Sequence, residues 1–335
     1  MLLFNSIYDM FRYRKYCSSL ICRNTFGVGI VNDKEILSNE KSVYVPKKGF
    51  GIIPREAAQN HSENAGEVLR RALEKANLKM KDIDIIAFSQ GPGLPQCLRV
   101  GAVVARALSL KYKKPLIAVN HCVAHIEIGK LNTESKDPVV LYLSGGNTQV
   151  IAFAEGRYRV FGETQDIPIG NALDNLARGL NLNMPGGIEI ENLAKNGKYF
   201  DLPYVIKGMD LSFTGLVTEA LRKFKKGAKV EDVAYSFQET CFAMLTEITE
   251  RAVAHTDKEE VLLVGGVAAN KRLQEMLKIM CEERGAKFYV VTQEYSGDNG
   301  LMIGWTGIEA YKKVYKISVE ESQIKQKWRT DEVEW

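Results

Sequence analysis

Apolar and polar positions alternate with a changing period along this chain, and the changes mark its elements. Phe26 to Val31 reads as a glycine-punctuated apolar strand, with Glu35-Ile36-Leu37 and Ser42 to Val45 as its hairpin continuation. Pro54 to Ala76 recurs at helical spacing, and Pro54 suits a first helical turn, where a missing N–H costs nothing. Ile83 to Phe88 is a buried strand running into Ser89-Gln90-Gly91-Pro92-Gly93, followed by a helix over Arg99 to Leu110. Leu116 to Val119 is a short strand that ends at a helix beginning with His121. The second half repeats the grammar: a hairpin over 139–153, then helices, then the strand Glu260 to Val264, the turn Gly265-Gly266 and the helix Lys271 to Glu283. Strand, glycine turn and helix thus occur over 83–110 and again over 260–283, which predicts an α/β fold of duplicated lobes around a cleft. The expected lobes are residues 1–130 and 131–335, joined by short crossovers near 130–138. Asp166 to Gly187 and Lys195 to Thr214 show weak periodicity and are expected as cleft-lining insertions.

A length of 335 residues exceeds the usual size of one core, in keeping with two lobes. The net charge of +4 is too small to argue for nucleic acid by itself. Its positives cluster in Arg12-Tyr13-Arg14-Lys15, Lys111-Tyr112-Lys113-Lys114, Arg222-Lys223-Phe224-Lys225-Lys226 and Lys325-Gln326-Lys327-Trp328-Arg329; such runs are most often solvated faces and sometimes phosphate contacts. Six cysteines without a CxxC pair fit reduced thiols, hence a cytoplasmic protein, or also a nuclear one in a eukaryote. Polar residues interrupt the first stretch too often for a signal peptide, and no segment reaches membrane-spanning length, so no membrane partner is expected.

The chemistry concentrates around His121-Cys122-Val123-Ala124-His125-Ile126-Glu127. On a helix, positions four apart stack on one face, so both imidazoles can reach one ion, and imidazole suits zinc or iron. HxxxH also arises without a metal, and here it lacks the glutamate placement of HExxH proteases. Val139 to Val150 reads as apolar strand, Ser144-Gly145-Gly146-Asn147 turn and returning strand, a hairpin whose tip offers backbone N–H groups to an anion. Asp298 opens a C-terminal helix, where its plainer role is an N-cap. Gly265-Gly266 can simply let a helix approach a strand, and Asp174 and Glu191 can be surface carboxylates on ordinary helices.

Taken together, these residues are more specific. The motifs around His121, Tyr142-Leu143-Ser144-Gly145-Gly146-Asn147-Thr148-Gln149, Phe161-Gly162-Glu163-Thr164, Gly170-Asn171-Ala172-Leu173-Asp174, Pro185-Gly186-Gly187, Lys207-Gly208-Met209-Asp210, Gly265-Gly266-Val267-Ala268-Ala269-Asn270 and Gly297-Asp298-Asn299-Gly300 resemble the TsaD-type tRNA threonylcarbamoyl transferases. The likeness is to the archaeal and eukaryotic branch, the catalytic subunit of the KEOPS complex. It implies a two-lobed actin-like, Hsp70-like ATPase fold whose C-terminal helix packs back toward the first lobe. It also implies one divalent metal per chain, iron or zinc, held by His121, His125 and Asp298 with Tyr142 in or near the coordination sphere. Residues 142 to 146 (Tyr142, Leu143, Ser144, Gly145 and Gly146) would face the acyl-phosphate of threonylcarbamoyl-adenylate, while Asp174, Gly187, Glu191 and Asn270 would hold ribose and adenine. The implied reaction moves the threonylcarbamoyl group to N6 of the adenine 3′ of the anticodon in tRNAs reading codons that begin with adenine, releasing AMP. No residue is assigned as general acid or base. The implied partners are tRNA and the KEOPS subunits: a small kinase or ATPase subunit, a dimerising subunit and an accessory tRNA-binding subunit.

The chain departs from the family pattern in three places. Leu20-Ile21-Cys22-Arg23 stands where the family reads approximately Gly-(Ile/Leu)-Glu-Gly-Thr-Ala, so residues 1–24 are expected not to form the first strand and phosphate loop. That absence would leave an unpaired sheet edge. Leu94-Pro95-Gln96 and Ile188 are smaller departures, and Pro95 is expected to reshape its turn. Competing readings are a sugar-kinase-like or chaperone-like ATPase, a metalloprotease and a scaffold subunit. The histidine pair weighs against the first and the missing helix glutamate against the second.

Overall fold

In a computed structural model the described residues are 14–21, 24–46, 51–313 and 315–334. They divide into two compact units: the described residues of 14–45, 52–128 and 298–329 form one, and those of 46–51, 129–297 and 330–334 the other.

The first unit is built on a five-stranded sheet ordered β3-β2-β1-β4-β5. Its strands are β1 (Lys15–Ile21), β2 (Thr25–Asn32), β3 (Ile36–Val43), β4 (Ile85–Gly91) and β5 (Leu116–Asn120). β1, β2 and β3 pair antiparallel, while β4 lies parallel to both β1 and β5. β2 and β4 are buried along their whole length, as strands covered on both faces must be. Helix α1 (Pro54–Lys75) buries Ala57, His61, Ala65, Val68 and Ala72, a stripe at steps of three and four. Helix α2 (Pro95–Tyr112) buries Cys97, Ala102 and Ala105 in the same core. It begins earlier than the expected Arg99, because Pro95 occupies the first turn and lacks only an N–H that no helix would have paired.

The expectation that residues 1–24 form no first strand is overturned. Lys15–Ile21 forms β1, which occupies the centre of the sheet, antiparallel to β2 and parallel to β4. Backbone partners on both sides, β2 and β4, hold this central position whatever loop follows; Cys22 and Arg23, where the phosphate loop would lie, fall outside the described residues.

The second unit carries a sheet of the same plan, ordered β12-β11-β6-β7-β8. Its strands are β6 (Val139–Leu143), β7 (Thr148–Ala154), β8 (Arg157–Glu163), β11 (Glu260–Val264) and β12 (Lys287–Val290). β6, β7 and β8 form an antiparallel meander, and β11 runs parallel to β6 and β12. Around them lie α4 (Ile169–Gly179), α5 (Gly186–Ala194), the two-residue ladder β9 (Ile206–Lys207) with β10 (Asp210–Leu211), α6 (Thr214–Lys225), α7 (Val230–Thr256) and α8 (Lys271–Arg284). The weak periodicity over 166–187 covers a regular helix. α4 buries Ile169, Ala172, Leu173, Leu176 and Ala177, a regular helical stripe that the flanking Gly, Pro and Asn obscure.

The boundary between the units falls within helix α3 (His121–Thr133), between Ile128 and Gly129, and not in a crossover loop at 130–138. After the short helix α9 (Gln293–Ser296), α10 (Gly300–Lys312) belongs to the first unit. Cβ atoms added at Gly300 or Gly29 would fall 2.2 and 2.6 Å from each other's backbone, so α10 lies directly on β2 where only glycine fits.

Candidate functional site

β5 ends at Asn120 and the chain turns at once into α3, so His121 is the first helical residue and His125 lies one turn on. Residues 121–129 are all buried, as expected of a helix whose faces carry Cys, Val, Ala and Ile between the histidines. The rings stand nearly perpendicular, at 87° with centroids 4.8 Å apart. Asp298 lies two residues before α10, whose start is fixed when the Ser18 hydroxyl of β1 donates to the Gly300 carbonyl at 2.6 Å. The carboxylate meets both imidazoles: Oδ1 is 3.5 Å from His121 Nε2 and 3.3 Å from His125 Nε2. Asp298 is not the helix N-cap. Asn299 caps α10 by accepting the Met302 N–H at 3.1 Å, which leaves Asp298 turned to the histidines.

The three donor atoms lie within 4.8 Å of one another. Two imidazole nitrogens and one carboxylate oxygen make a donor set that suits zinc or iron with positions left open. The protonation states agree with that fit. Burial pushes the His125 imidazole toward its neutral form, against the pull of Asp298. Burial opposes ionisation of Asp298, yet the two histidines outweigh it and hold the carboxyl far below the usual range. A neutral imidazole and an ionised carboxylate are the forms that ligate a metal.

In the second unit, β6 and β7 form the expected hairpin, with Leu143 opposite Thr148. Within its turn the Ser144 Oγ accepts the N–H groups of Gly146 and Asn147, at 3.1 and 3.0 Å, so those two donors are engaged inside the loop. The loop is held closely: a Cβ on Gly170 would lie 2.8 Å from Gly145 Cα, and one on Gly265, whose φ is +93°, 2.3 Å from the Leu143 carbonyl oxygen. Tyr142 is fully buried on β6. Asp174 on α4 accepts the Gly186 N–H at 2.9 Å, and Glu191 on α5 accepts the Lys271 N–H at 2.8 Å. Asn270 caps α8 through Arg272 and Leu273 N–H and donates to Gln238 at 3.1 Å. These bonds tie α4 to the start of α5, and α5 to the start of α8, the elements that carry Asp174, Gly187, Glu191 and Asn270. Gly186 has a packing reason to be glycine, since its Cβ would strike Ala177 Cβ at 2.6 Å. Gly187 has none, since its Cβ would meet only Leu173 Cδ1 at an ordinary 3.6 Å.

A profile described as TsaD, tRNA N6-adenosine threonylcarbamoyltransferase, matches residues 35–305. Proteins named tRNA N6-adenosine threonylcarbamoyltransferase from Thermococcus kodakarensis and Archaeoglobus fulgidus are 58% and 57% identical, over 93% and 92% of this chain and 96% and 95% of their own lengths. The chain belongs to the TsaD family. A Methanocaldococcus jannaschii protein named probable bifunctional tRNA threonylcarbamoyladenosine biosynthesis protein is 57% identical over 92% of this chain, which spans 57% of that longer protein. Among solved structures, Thermococcus kodakarensis HypF covers 90% of the chain with 48% of its own length, at a TM-score of 0.64 and 18% identity. The Clostridium difficile activator of 2-hydroxyisocaproyl-CoA dehydratase, solved with bound ADPNP, covers 92% of the chain with all of its own, at 0.52 and 14%. At those identities the likeness concerns the fold alone, a two-sheet α/β one.

For this TsaD-family chain, residue patterns alone overlooked three groups. Asn120 caps α3 from the position before His121, a signal legible as Asn ahead of an apolar helix. Asp166 accepts the Phe213 and Thr214 N–H groups at the start of α6, 47 and 48 residues away, which no local pattern announces. Ser18 lies in the segment that departs from the family pattern. Of the basic runs, Arg12 and Tyr13 fall outside the described residues, Arg222 is paired with Glu219, and the Lys325 ammonium lies 4.6 Å from the Trp328 ring centre. No helix among the described residues is long and apolar enough to cross a membrane.

Proposed function

We propose that this chain transfers a threonylcarbamoyl group from threonylcarbamoyl-adenylate to N6 of the tRNA adenine 3′ of the anticodon, with AMP as leaving group. The observation that carries the reading is the meeting of His121, His125 and Asp298 in a chain of this family. The triad would hold one zinc or iron ion, with Tyr142 in or near its sphere. Bound there, the metal supplies Lewis acidity to a carbonyl oxygen. Burial favours the neutral His125 imidazole, and the buried α3 fixes both rings, so the ligand set needs no rearrangement when the substrate arrives.

In the second unit, Tyr142, Leu143, Ser144, Gly145 and Gly146 would line the acyl-phosphate, and Asp174, Gly187, Glu191 and Asn270 the nucleoside. A carboxylate has more acceptor capacity than one backbone N–H uses, so Glu191 can take a ribose hydroxyl as well. Gly187, free of packing demands, allows close backbone approach to a sugar. No side chain is assigned proton transfer, and positioning supplies most of the rate. The chain would act in the cytoplasm with KEOPS-type subunits: a small kinase or ATPase, a dimerising subunit and an accessory tRNA-binding subunit. A net charge of +4 spread over separate runs supports weak, salt-sensitive tRNA binding by the chain alone.

The test is threonylcarbamoyl transfer to tRNA by the purified chain, alone and with those subunits, with supplied threonylcarbamoyl-adenylate. Modified tRNA should appear with the subunits present and disappear in the His121→Ala, His125→Ala double variant. Transfer by that double variant at the unmodified rate would refute the metal-dependent reading, and no transfer under any condition would refute the activity.

A further inference from the structure

The segment 298–329 of the first unit begins and ends at the histidine helix. Asp298, its first residue, lies against both imidazoles. Its far end is tied to Asn120, which is only 2% exposed and directly precedes His121. Asn120 Oδ1 accepts the N–H groups of Cys122 at 2.9 Å and Val123 at 3.2 Å. Its Nδ2 donates to the carbonyls of Trp328 at 3.2 Å and Arg329 at 3.4 Å. A carboxamide offers two lone pairs and two N–H groups, and here all four are engaged. Serine or aspartate caps a helix comparably, but neither can also donate to two carbonyls.

The rest of its C-terminal part, a strap over 321–329, is fixed at the end of the neighbouring strand β4. Lys325 N–H donates to the Gln90 carbonyl at 2.8 Å, Gly93 N–H to the Gln326 carbonyl at 3.3 Å, and Gln90 Nε2 to the carbonyls of Glu321 and Gln323 at 2.9 and 2.8 Å. A Cβ on Gly91 would lie 1.9 Å from the Lys325 carbonyl oxygen, so the strap runs in backbone contact with β4. The Trp328 side chain is buried to 9% exposure and anchors the strap's end.

We propose that Asn120 is a positioning residue for the metal ligands: it locks the first turn of α3 to the C-terminal strap and so sets where His121 and His125 point relative to Asp298. The inference rests on reading the triad as a metal site. Groups that orient ligands without touching the metal change its affinity roughly tenfold to a hundredfold when removed.

The test uses zinc alone as probe, its Kd measured by competition with a chromogenic chelator, for the wild-type chain, Asn120→Ser, Trp328→Ala and their combination. Far-UV circular dichroism and melting of the metal-free proteins accompany it. Asn120→Ser keeps a helix cap and should fold normally, yet weaken zinc binding roughly tenfold or more. Trp328→Ala should weaken it as well, and the combination should be little worse than the stronger single change, because both act through one strap. Zinc affinity unchanged in a folded Asn120→Ser, or fully additive effects, would overturn the proposal. If Asn120→Ser does not fold, Trp328→Ala decides, and unchanged zinc affinity there overturns it. A His121→Ala chain that binds zinc like the wild type would instead refute the metal site itself, which keeps the two failures apart.

Discussion

In the first unit β1, β2 and β3 form an antiparallel meander with β4 and β5 parallel on its other side; in the second, β6, β7 and β8 with β11 and β12 repeat that plan strand for strand. The ladders are alike and the strand ends are not. The first unit presents side-chain chemistry: a buried helix start with two imidazoles and a carboxylate returned by a later segment. The second presents backbone chemistry, a Ser144-Gly145-Gly146 loop clasped by Gly170 and Gly265, and carboxylates that hold helix starts. A ladder fixes the register of strands but not the residues beyond their ends, so one topology carries two kinds of candidate site.

The comparison breaks most sharply at the metal. About one zinc or iron per chain is expected by elemental analysis, and almost none after His121→Ala with His125→Ala. Equal metal in both proteins would leave the first unit without its distinguishing chemistry.

Next in size are the glycines. Gly300→Ala would place Cβ 2.2 Å from Gly29 N, where backbone must move, and should cost about 3 kcal/mol in denaturant unfolding. Gly265→Ala, strained by φ +93° and close to Leu143, should cost about 2 kcal/mol. Gly187→Ala should stay within about 0.5 kcal/mol, because it meets only Leu173 Cδ1 at 3.6 Å. Calorimetry should nonetheless find its adenine-nucleotide binding weakened. Unchanged binding with unchanged stability would remove Gly187 from the site.

Glu191→Ala probes the carboxylates. It should weaken nucleotide binding by about 1 to 3 kcal/mol in the same calorimetric measurement. A stability loss with nucleotide affinity intact would make Glu191 only the partner of Lys271.

The smallest effect belongs to Asp166. Partial burial works against its ionisation, but the Phe213, Thr214 and Ile167 N–H groups hold its carboxyl below the ordinary range. A depressed folded value means its contribution is fully present above the unfolded value of roughly 3.9 and is lost as pH falls through the folded one. Asp166→Asn should therefore cost about 1 kcal/mol at neutral pH, and the gap to wild type should close in acid. A gap independent of pH would point to packing in place of charge.

Much of the molecule was legible because it is written locally. The i, i+4 histidines, the apolar strands and the glycine turns needed only period and spacing, and the motif set sufficed for the family. β1 was misjudged because a motif comparison weighs polar loop residues, whereas a central strand requires only backbone partners on both sides. The extent of α4 was not legible because Gly, Pro and Asn around it mask a buried stripe that becomes plain once its packing partners are known.

By itself the sequence determined the α/β alternation, the duplicated order, the family and the identity of the candidate ligands, since these depend on neighbours within a few residues. Only the tertiary structure decided that Asn299 and not Asp298 caps α10, that Ser18 and Gly300 fix that helix on the sheet, and that Asn120 joins α3 to the carbonyls of Trp328 and Arg329. Those contacts span up to 282 residues. Bonds over such distances depend on how the whole chain closes, and no periodicity encodes them.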